Sequence, residues 1–374
     1  MPGYDIAVIG VGIVGASAVY ALSQAGARVL ALDAGAAGAG TSGNSFAWVN
    51  SVQKEPEVYH RLNAEGMAAH RRLACDLGGE SGYHEGGSLE WAAADGERAL
   101  RARIERLSGL GYPARWISRA EALKMEEGLT IPTSVSDVAF YEADGWLDAP
   151  RMIGRLLAAA RARGAEVREQ TRVRSLRREG DRVAALLTDT GEVSAGSVLL
   201  CVGPATRAFL GAVGIGMPID RMAGLLAVTS RPARSLGRVV HAPGVHLRPD
   251  ASGGLLLGAR DLDGRVTDTT VPASAADTAA VLLERAARVF EPARDVRLVE
   301  CRIGVRPMPA DNQTVAGRIP GLGNAWMLAT HSGVTLGPLL GRLIANEIVG
   351  GAPSATLAPF RPERFAAMAA ARGG

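Results

Sequence analysis

The sequence predicts an α/β protein with a parallel sheet at its start and a second, strand-rich part. Three observations carry this prediction. Residues 1–33 alternate strand, helix and strand patterns around a glycine-rich turn. The chain has 374 residues, which is long for a single hydrophobic core. Residues 218–300 then contain mainly strand-like apolar runs, with one helical pattern among them.

The first unit is a strand, a turn, a helix and a second strand. Residues 4–9 form an apolar run, and the helical pattern that follows the turn ends at Gly26. Residues 28–32 form the second run, which Asp33 closes. Between them stands Gly-Val-Gly-Ile-Val-Gly at residues 10–15. This order is the dinucleotide-binding fingerprint in the context that it requires.

Each motif residue has a physical task. Gly10 permits the tight turn, Gly12 lets the backbone approach a pyrophosphate, and Gly15 lets the helix pack on the strand. The helix N-terminus attracts phosphate, and Asp33 can accept hydrogen bonds from ribose hydroxyls. The alternative is a glycine-rich turn that binds nothing, and the motif alone does not separate NAD from FAD.

Composition narrows the class of protein. A net charge of +3 predicts neither a nucleic-acid surface nor a polybasic membrane patch. Cys75, Cys201 and Cys301 are odd in number and far apart, which fits neither a disulfide framework nor a metal site. The start of the chain lacks the basic region of a signal peptide, and no transmembrane run is expected. We therefore expect a cytoplasmic protein without a metal.

The remaining chain alternates helical and strand-like patterns. Helices are expected over residues 57–77, 95–110, 118–126, 149–163 and 278–289, the last preceded by a capping box at Ser274 and Asp277. Strands are expected over residues 88–91, 165–175, 182–188, 192–194, 197–202, 225–228, 244–247, 254–257, 296–301 and 326–330. Residues 331–337 read as a turn, followed by a helix over 338–349 with Pro338 at its first position.

Four stretches together resemble one enzyme family. They are the fingerprint, the Thr-Ser-Gly-Asn-Ser loop at residues 41–45, Gly-Val-Arg-Pro at 304–307, and residues 330–338. The sequence is similar to the D-amino acid oxidase/glycine oxidase/sarcosine oxidase (DAO) family of FAD-dependent oxidoreductases. The resemblance covers the whole chain and is weakest over residues 81–141.

The resemblance implies an architecture that chain order alone does not give. An FAD-binding, Rossmann-like domain of the glutathione-reductase type would comprise residues 1–75, 145–215 and 302–374. A mainly antiparallel substrate domain would comprise residues 76–144 and 216–301. The flavin ring would lie at their interface, where pockets commonly form.

The resemblance also implies site residues. Together with the fingerprint it gives a set of FAD-binding residues, namely Gly10, Gly12, Ile13, Val14, Gly15, Asp33, Thr41, Ser42, Asn44, Ser45, Val173, Gly203, Arg306, Gly333, Val334 and Thr335. The expected catalytic residues are Arg306, His331 and Thr335, with Trp48 and Asn50 as pocket neighbours. The helix after residue 337 would stabilise negative charge on the reduced flavin. Arg306 would hold a substrate carboxylate through a bidentate contact.

The reaction implied is oxidation of a C–N bond in a small amino acid or secondary amine, such as a D-amino acid, glycine or sarcosine. Hydride passes to flavin N5 and the imine is hydrolysed, with oxygen or another acceptor reoxidising the flavin. Cys301 falls three residues too early for covalent flavin attachment, opposite Gly304, so non-covalent FAD is expected. Thr335 stands where some sarcosine oxidases have a lysine, and neither Lys54 nor Lys124 is expected near the flavin.

Two other functions stay open from the sequence. An NAD(P)-dependent dehydrogenase would use the same fingerprint but leave Arg306 and residues 330–338 without a role. A non-catalytic flavin-binding subunit of a larger dehydrogenase would keep every motif. The sequence does not give the substrate side chain, the electron acceptor or the oligomeric state, although an oligomer is compatible with the family.

Overall fold

The fold is seen in a computed structural model, which describes residues 3–263, 265–266 and 275–366. Its strands are β1 Tyr4–Ile9, β2 Val29–Leu32, β3 Trp48–Val49, β4 Tyr83–Glu85, β5 Ser88–Glu90, β6 Ala114–Ser118, β7 Asp137–Tyr141, β8 Gly145–Leu147, β9 Glu166–Arg168, β10 Val173–Glu179, β11 Arg182–Thr188, β12 Gly191–Val193, β13 Ala195–Leu200, β14 Ile219–Thr229, β15 Val239–Ala242, β16 Val245–Pro249, β17 Leu255–Gly258, β18 Leu298–Pro309, β19 Val315–Arg318 and β20 Ala325–Ala329. Its α-helices are α1 Ile13–Gln24, α2 Glu57–Asp76, α3 Glu97–Gly109, α4 Arg119–Met125, α5 Ala149–Arg161, α6 Thr206–Gly211, α7 Arg260–Asp263, α8 Ala275–Val289 and α9 Gly333–Gly350.

The parallel sheet has six strands in the order β19-β20-β13-β1-β2-β9. Every neighbouring pair is parallel except β19 with β20. Ile9 pairs with Leu32 on one side and with Leu200 on the other. The three central strands therefore end together at one edge, and that edge carries the glycine-rich turn. The predicted α/β class is confirmed.

The largest sheet has eight strands in the order β18-β14-β17-β16-β15-β5-β7-β6. Its pairs are antiparallel apart from β5 with β15. The pairing of β14 with β18 runs from Ile219 opposite Pro309 to Thr229 opposite Leu298. The predicted boundary at residue 302 falls inside β18, so this strand carries the Gly-Val-Arg-Pro motif within the antiparallel sheet. The division into two domains stays a prediction.

The last long helix begins earlier than the sequence pattern predicted. Residues 333–337 are the first turn of α9 rather than a turn before it, and Pro338 lies inside the helix. The prediction of Pro338 at the first position is wrong. Pro338 has no N–H to donate to the carbonyl of Val334, but Nε2 of His70 lies 2.8 Å from that oxygen. The imidazole of a neighbouring helix thus replaces the missing bond.

The prediction of one continuous strand over residues 165–175 is wrong, because the structure has two separate strands there, β9 and β10. Gln170 between them is left-handed, with φ of 51°. The N–H of Thr171 donates to the Asp33 carbonyl at 2.7 Å, which turns the chain across the end of β2. The capping residue predicted at Ser274 lies outside the described residues.

In the described ranges, no helix is both long enough and apolar enough to cross a membrane.

Candidate active site

The carboxyl edge of the parallel sheet opens into a cavity of about 360 Å³, here called the dinucleotide cavity. It contains most of the residues that the sequence predicts for FAD. Those lining it are Gly10, Gly12, Ile13, Val14, Asp33, Thr41, Ser42, Ser45, Val173, Gly203, Arg306, Gly333 and Val334. Two helices, α1 and α9, begin at this cavity, and a helix N-terminus favours negative charge. This is the arrangement that a pyrophosphate and a reduced flavin require.

The glycine-rich turn has the geometry that the motif predicts. Gly10 adopts φ of +91°, which is strained for any residue with a side chain. A Cβ on Gly15 would lie 1.9 Å from the Gly10 carbonyl oxygen, so Gly15 serves helix packing and does not line the cavity. The hydroxyl oxygen of Ser42 accepts the N–H of Ile13 at 2.9 Å. The loop at residues 41–45 therefore covers the start of α1.

Asp33 organises the turn from the end of β2. One carboxylate oxygen accepts the N–H of Val11 at 2.6 Å, and the other accepts the N–H of Gly35 at 2.9 Å. A carboxylate oxygen has a second lone pair, so both contacts leave capacity for ribose hydroxyls. Asp33 is therefore placed for the predicted role, and it also fixes the backbone on either side of the cavity.

Replacing Asp33 by alanine is expected to weaken FAD binding by about ten- to a hundredfold, because one or two charge-assisted hydrogen bonds to the cofactor are lost. The sheet should still form, because β1, β2 and β13 pair independently of this side chain. Titration of the apoprotein with FAD measures the affinity, and circular dichroism checks the fold. Wild-type affinity in the variant would show that Asp33 is only a strand-end acid.

A second cavity of about 460 Å³, here called the interface cavity, adjoins the first. It lies between the loops that follow β2 and the strands of the antiparallel sheet. Thr41, Ser45, Arg306 and His331 line both cavities. A molecule in one cavity would therefore meet a molecule in the other beside these four residues.

Arg306 lies in β18 at the junction, where it forms an ion pair. Its Nη2 is 2.6 Å from the Asp263 carboxylate, and the two side chains are 38% and 23% exposed. Burial raises the pKa of Asp263, and Arg306 opposes that shift. No sequence pattern indicated Asp263 as a partner, because the two residues are 43 positions apart. A guanidinium has five N–H donors, so one contact leaves others available.

The side chains of His331 and Lys54 contact each other at the junction of the two cavities. Lys54 Nζ lies 3.4 Å from His331 Nε2, while His331 Nδ1 is buried with no partner among the described residues. Burial, with the charges of Lys54 and Arg306, lowers the pKa of His331 to about 3, so the ring is neutral. Lys54 does not line the dinucleotide cavity, in line with the expectation that it is not near the flavin, but it does line the interface cavity. Residues 50–54 pass the start of α9, which no local pattern indicates.

Four further predicted residues do not line the dinucleotide cavity, and two of them, Trp48 and Asn50, were expected only as pocket neighbours. The hydroxyl oxygen of Thr335 accepts the N–H of Asn50 at 3.3 Å, and this buried side chain lines neither cavity. Asn44 and Asn50 line the interface cavity rather than the dinucleotide cavity. Trp48 also lines it, and its indole N–H donates to the buried carboxylate of Asp144 at 2.8 Å. Residues that the sequence did not indicate include Thr171, Arg172 and Phe209 in the dinucleotide cavity.

Gly304 brings the loop at residues 41–45 against the antiparallel sheet. A Cβ on Gly304 would lie 2.1 Å from the backbone oxygen of Asn44. Beside this contact, the Thr41 hydroxyl donates to the Val305 carbonyl at 2.5 Å. The glycine of Gly-Val-Arg-Pro is therefore required by close backbone approach, and this approach joins the two cavities.

Comparison with known proteins identifies the family. Residues 5–347 match the DAO family, described as FAD dependent oxidoreductase. The chain belongs to this family. It is 28% identical to a glycine oxidase of Geobacillus kaustophilus (strain HTA426) over 369 residues, which cover 96% of each chain. It is also 28% identical to an opine oxidase subunit of Agrobacterium tumefaciens (strain Ach5), over 98% of this chain and 99% of that protein.

A solved structure agrees with this assignment. The crystal structure of glycine oxidase from Geobacillus kaustophilus superimposes with a TM-score of 0.85 at 26% identity, over 96% of this chain and 98% of that one. The protein is thus an FAD-dependent oxidoreductase of the DAO family, and the dinucleotide cavity fits FAD by its glycine turn, its carboxylate and its two helix N-termini. The alternative of an NAD(P)-dependent dehydrogenase is set aside by the family match.

The thiols bear on how the flavin is attached. Cys301 lines neither cavity, and its Sγ lies 3.8 Å from the Ala275 carbonyl. Cys201 lines the dinucleotide cavity at the end of β13, and burial raises the pKa of its thiol, which disfavours the reactive thiolate.

The purified protein should therefore be yellow, and acid precipitation should leave the flavin in the supernatant. Flavin in the pellet would contradict non-covalent binding.

Proposed function

We propose that the protein oxidises the C–N bond of a small amino acid or secondary amine, with substrate in the interface cavity and FAD in the dinucleotide cavity. The observation that carries this proposal is the junction, where Arg306 and His331 line both cavities. A carboxylate held by Arg306 would place the adjacent amine-bearing carbon beside the cofactor. The glycine oxidase relative supports the same chemistry.

When bound, FAD would supply the acceptor for a hydride from the carbon that carries the amine. The nitrogen loses a proton to water, and water hydrolyses the resulting imine to a carbonyl compound and ammonia, or a primary amine where the substrate is a secondary amine. The protein contributes binding and orientation. Arg306 offers its remaining N–H donors to the carboxylate while Asp263 holds one edge of the guanidinium. The neutral His331 has one ring nitrogen with no partner among the described residues, and this nitrogen can hydrogen-bond to substrate or cofactor.

A second candidate is a flavin-binding subunit of a larger dehydrogenase. The similarity to the opine oxidase subunit over nearly the whole of both chains supports it. The cytoplasmic location stays a prediction in either case.

A substrate panel separates these candidates. The isolated protein is mixed with glycine, sarcosine and the two enantiomers of alanine and proline, with oxygen or an artificial dye as acceptor. Peroxide formed with oxygen would indicate an oxidase, and dye reduction alone would indicate a dehydrogenase. No turnover of any amine by the flavin-loaded chain would support the subunit function.

Lys54 gives the site an expected pH dependence. Burial and the nearby charge of Arg260 lower the pKa of Lys54 to about 8. The ammonium is thus charged below this pH and neutral above it, and a carboxylate should bind more weakly as pH rises through 8. Acetate has no amine to titrate, so its Kd, measured by the shift of the flavin spectrum, reports the protein group.

Lys54→Met should bind acetate more weakly and show a flat profile over this pH range. His331 and His246, with pKa values lowered by burial to about 3 and about 4, do not titrate there. The same pH profile in both proteins would assign the titration to another group.

A further inference from the structure

The charged side chains of the interface cavity do not balance. Among the residues that the structure describes, six charged side chains line it, and four of them form two ion pairs. Arg306 pairs with Asp263 at 2.6 Å. Nη1 of Arg103 lies 2.7 and 2.8 Å from the two carboxylate oxygens of Glu90. Each pair is electrically neutral, so neither provides a net charge for a ligand.

The other two side chains, Lys54 and Arg260, are cations. Within the described ranges neither has a carboxylate partner: Lys54 contacts the neutral His331, and Arg260 donates to the amide oxygen of Gln53. Their mutual repulsion is one of the causes that lower the pKa of Lys54. Two cations that line one cavity without an ion-pair partner among the described residues disfavour each other and favour an anion between them.

Their position differs from that of Arg306. Arg306 lines both cavities, whereas Lys54 and Arg260 line only the interface cavity. Arg260 begins α7, directly after β17, and is exposed to solvent. Arg260 thus lies on a solvent-exposed part of the interface cavity wall and is not one of the four residues that line both cavities.

We infer that the substrate carries a second carboxylate, which Arg260 binds together with Lys54. This inference rests on the proposed function and names its substrate class as an amine dicarboxylate. The first carboxylate binds Arg306, the amine-bearing carbon lies at the junction, and the second carboxylate reaches the wall formed by Arg260. The second carboxylate can stand on the nitrogen substituent, as in iminodiacetate, or on the side chain, as in aspartate.

Matched probes test the inference. Iminodiacetate and sarcosine are both N-substituted glycines and differ by one carboxylate. Aspartate and alanine differ by one carboxylate on the side chain, and each of these two is tested as both enantiomers. In at least one of these two pairs, wild type should show a kcat/KM about ten- to a hundredfold higher for the dicarboxylate than for the monocarboxylate, because the second carboxylate gains a charge-assisted contact. The pair that shows the preference identifies where the second carboxylate stands.

Arg260→Gln should reduce the ratio of kcat/KM for the dicarboxylate to kcat/KM for the monocarboxylate from its wild-type value to about one. Arg285→Gln is the matched control. Arg285 donates a hydrogen bond to Asp261 of α7, the helix that contains Arg260, but Arg285 lines neither cavity. Equal rates for both members of both pairs in wild type would overturn the inference, as would an equal loss for both members in Arg260→Gln.

A binding measurement separates failure of this inference from failure of the proposed function. Succinate and propionate cannot be oxidised at a C–N bond, and their Kd values follow from the shift of the flavin spectrum. Tighter succinate binding that Arg260→Gln removes would support the site even if no amine reduced the flavin. Equal binding of succinate and propionate would overturn the site, whatever amine the enzyme oxidises.

Discussion

Arg306→Ala is expected to lower kcat/KM for a carboxylate-bearing amine by about ten- to a hundredfold or more, because a charge-assisted bidentate contact contributes about 1.5–3 kcal/mol. Arg306→Lys should recover only part of this loss, since a point charge does not reproduce the planar fork. Flavin content should stay near wild type. Steady-state kinetics and the visible spectrum of each variant provide the measurements.

The ion pair with Asp263 requires a second variant. Removing Arg306 leaves the Asp263 carboxylate without its partner in the cavity, and that charge alone would repel a substrate carboxylate. Arg306→Ala combined with Asp263→Asn removes this repulsion, but the contact between Arg306 and the substrate carboxylate is still missing. The double variant should therefore stay well below wild type. Restoration of activity in it would show that Arg306 serves only to neutralise Asp263.

A second large effect is expected from Gly304→Ala. The new methyl group would lie 2.1 Å from the Asn44 backbone oxygen, and neither chain can yield by a side-chain rotation. Overpacking of this kind costs about 1–3 kcal/mol, so the melting temperature of the holoprotein should fall. Because the displaced loop lines both cavities, the flavin content should fall as well.

Gly154→Ala is the matched control for this substitution. Gly154 lies on the exposed face of α5, and a Cβ there would meet nothing within 4 Å. Alanine should stabilise the helix by about 0.5–1 kcal/mol and leave flavin binding unchanged. If Gly304→Ala also retained full flavin content and the wild-type melting temperature, the close approach of loop and strand would not matter to the site.

The parts of the fold that local patterns specify were predictable. The strand–turn–helix–strand at the start follows from apolar periodicity and glycine spacing, and each of its elements is confirmed. The strand over Arg182–Thr188 was predicted with its actual bounds. The start of α9 was not predicted correctly, because a proline usually marks the first turn of a helix. Here Pro338 lies inside the helix, and His70, which is distant in sequence, replaces the hydrogen bond that Pro338 cannot donate.

The candidate site was predictable only where a motif marks it. Gly-Val-Arg-Pro led to Arg306, but nothing local shows that Asp263 would pair with it or that Lys54 would reach His331. These contacts depend on how α7 and the segment after β3 pack against β18 and α9. Such long-range packing determines the charge of the interface cavity, and no single segment of the sequence contains it.

The most direct test of the two-cavity site is anaerobic mixing of the flavin-loaded protein with the amine carboxylates described above. At least one of them should bleach the oxidised flavin in a single turnover and yield the corresponding carbonyl product, and Arg306→Ala should slow this bleaching while binding FAD normally. Flavin that stays oxidised with every amine carboxylate, yet is reduced readily by dithionite, would contradict amine oxidation at this site.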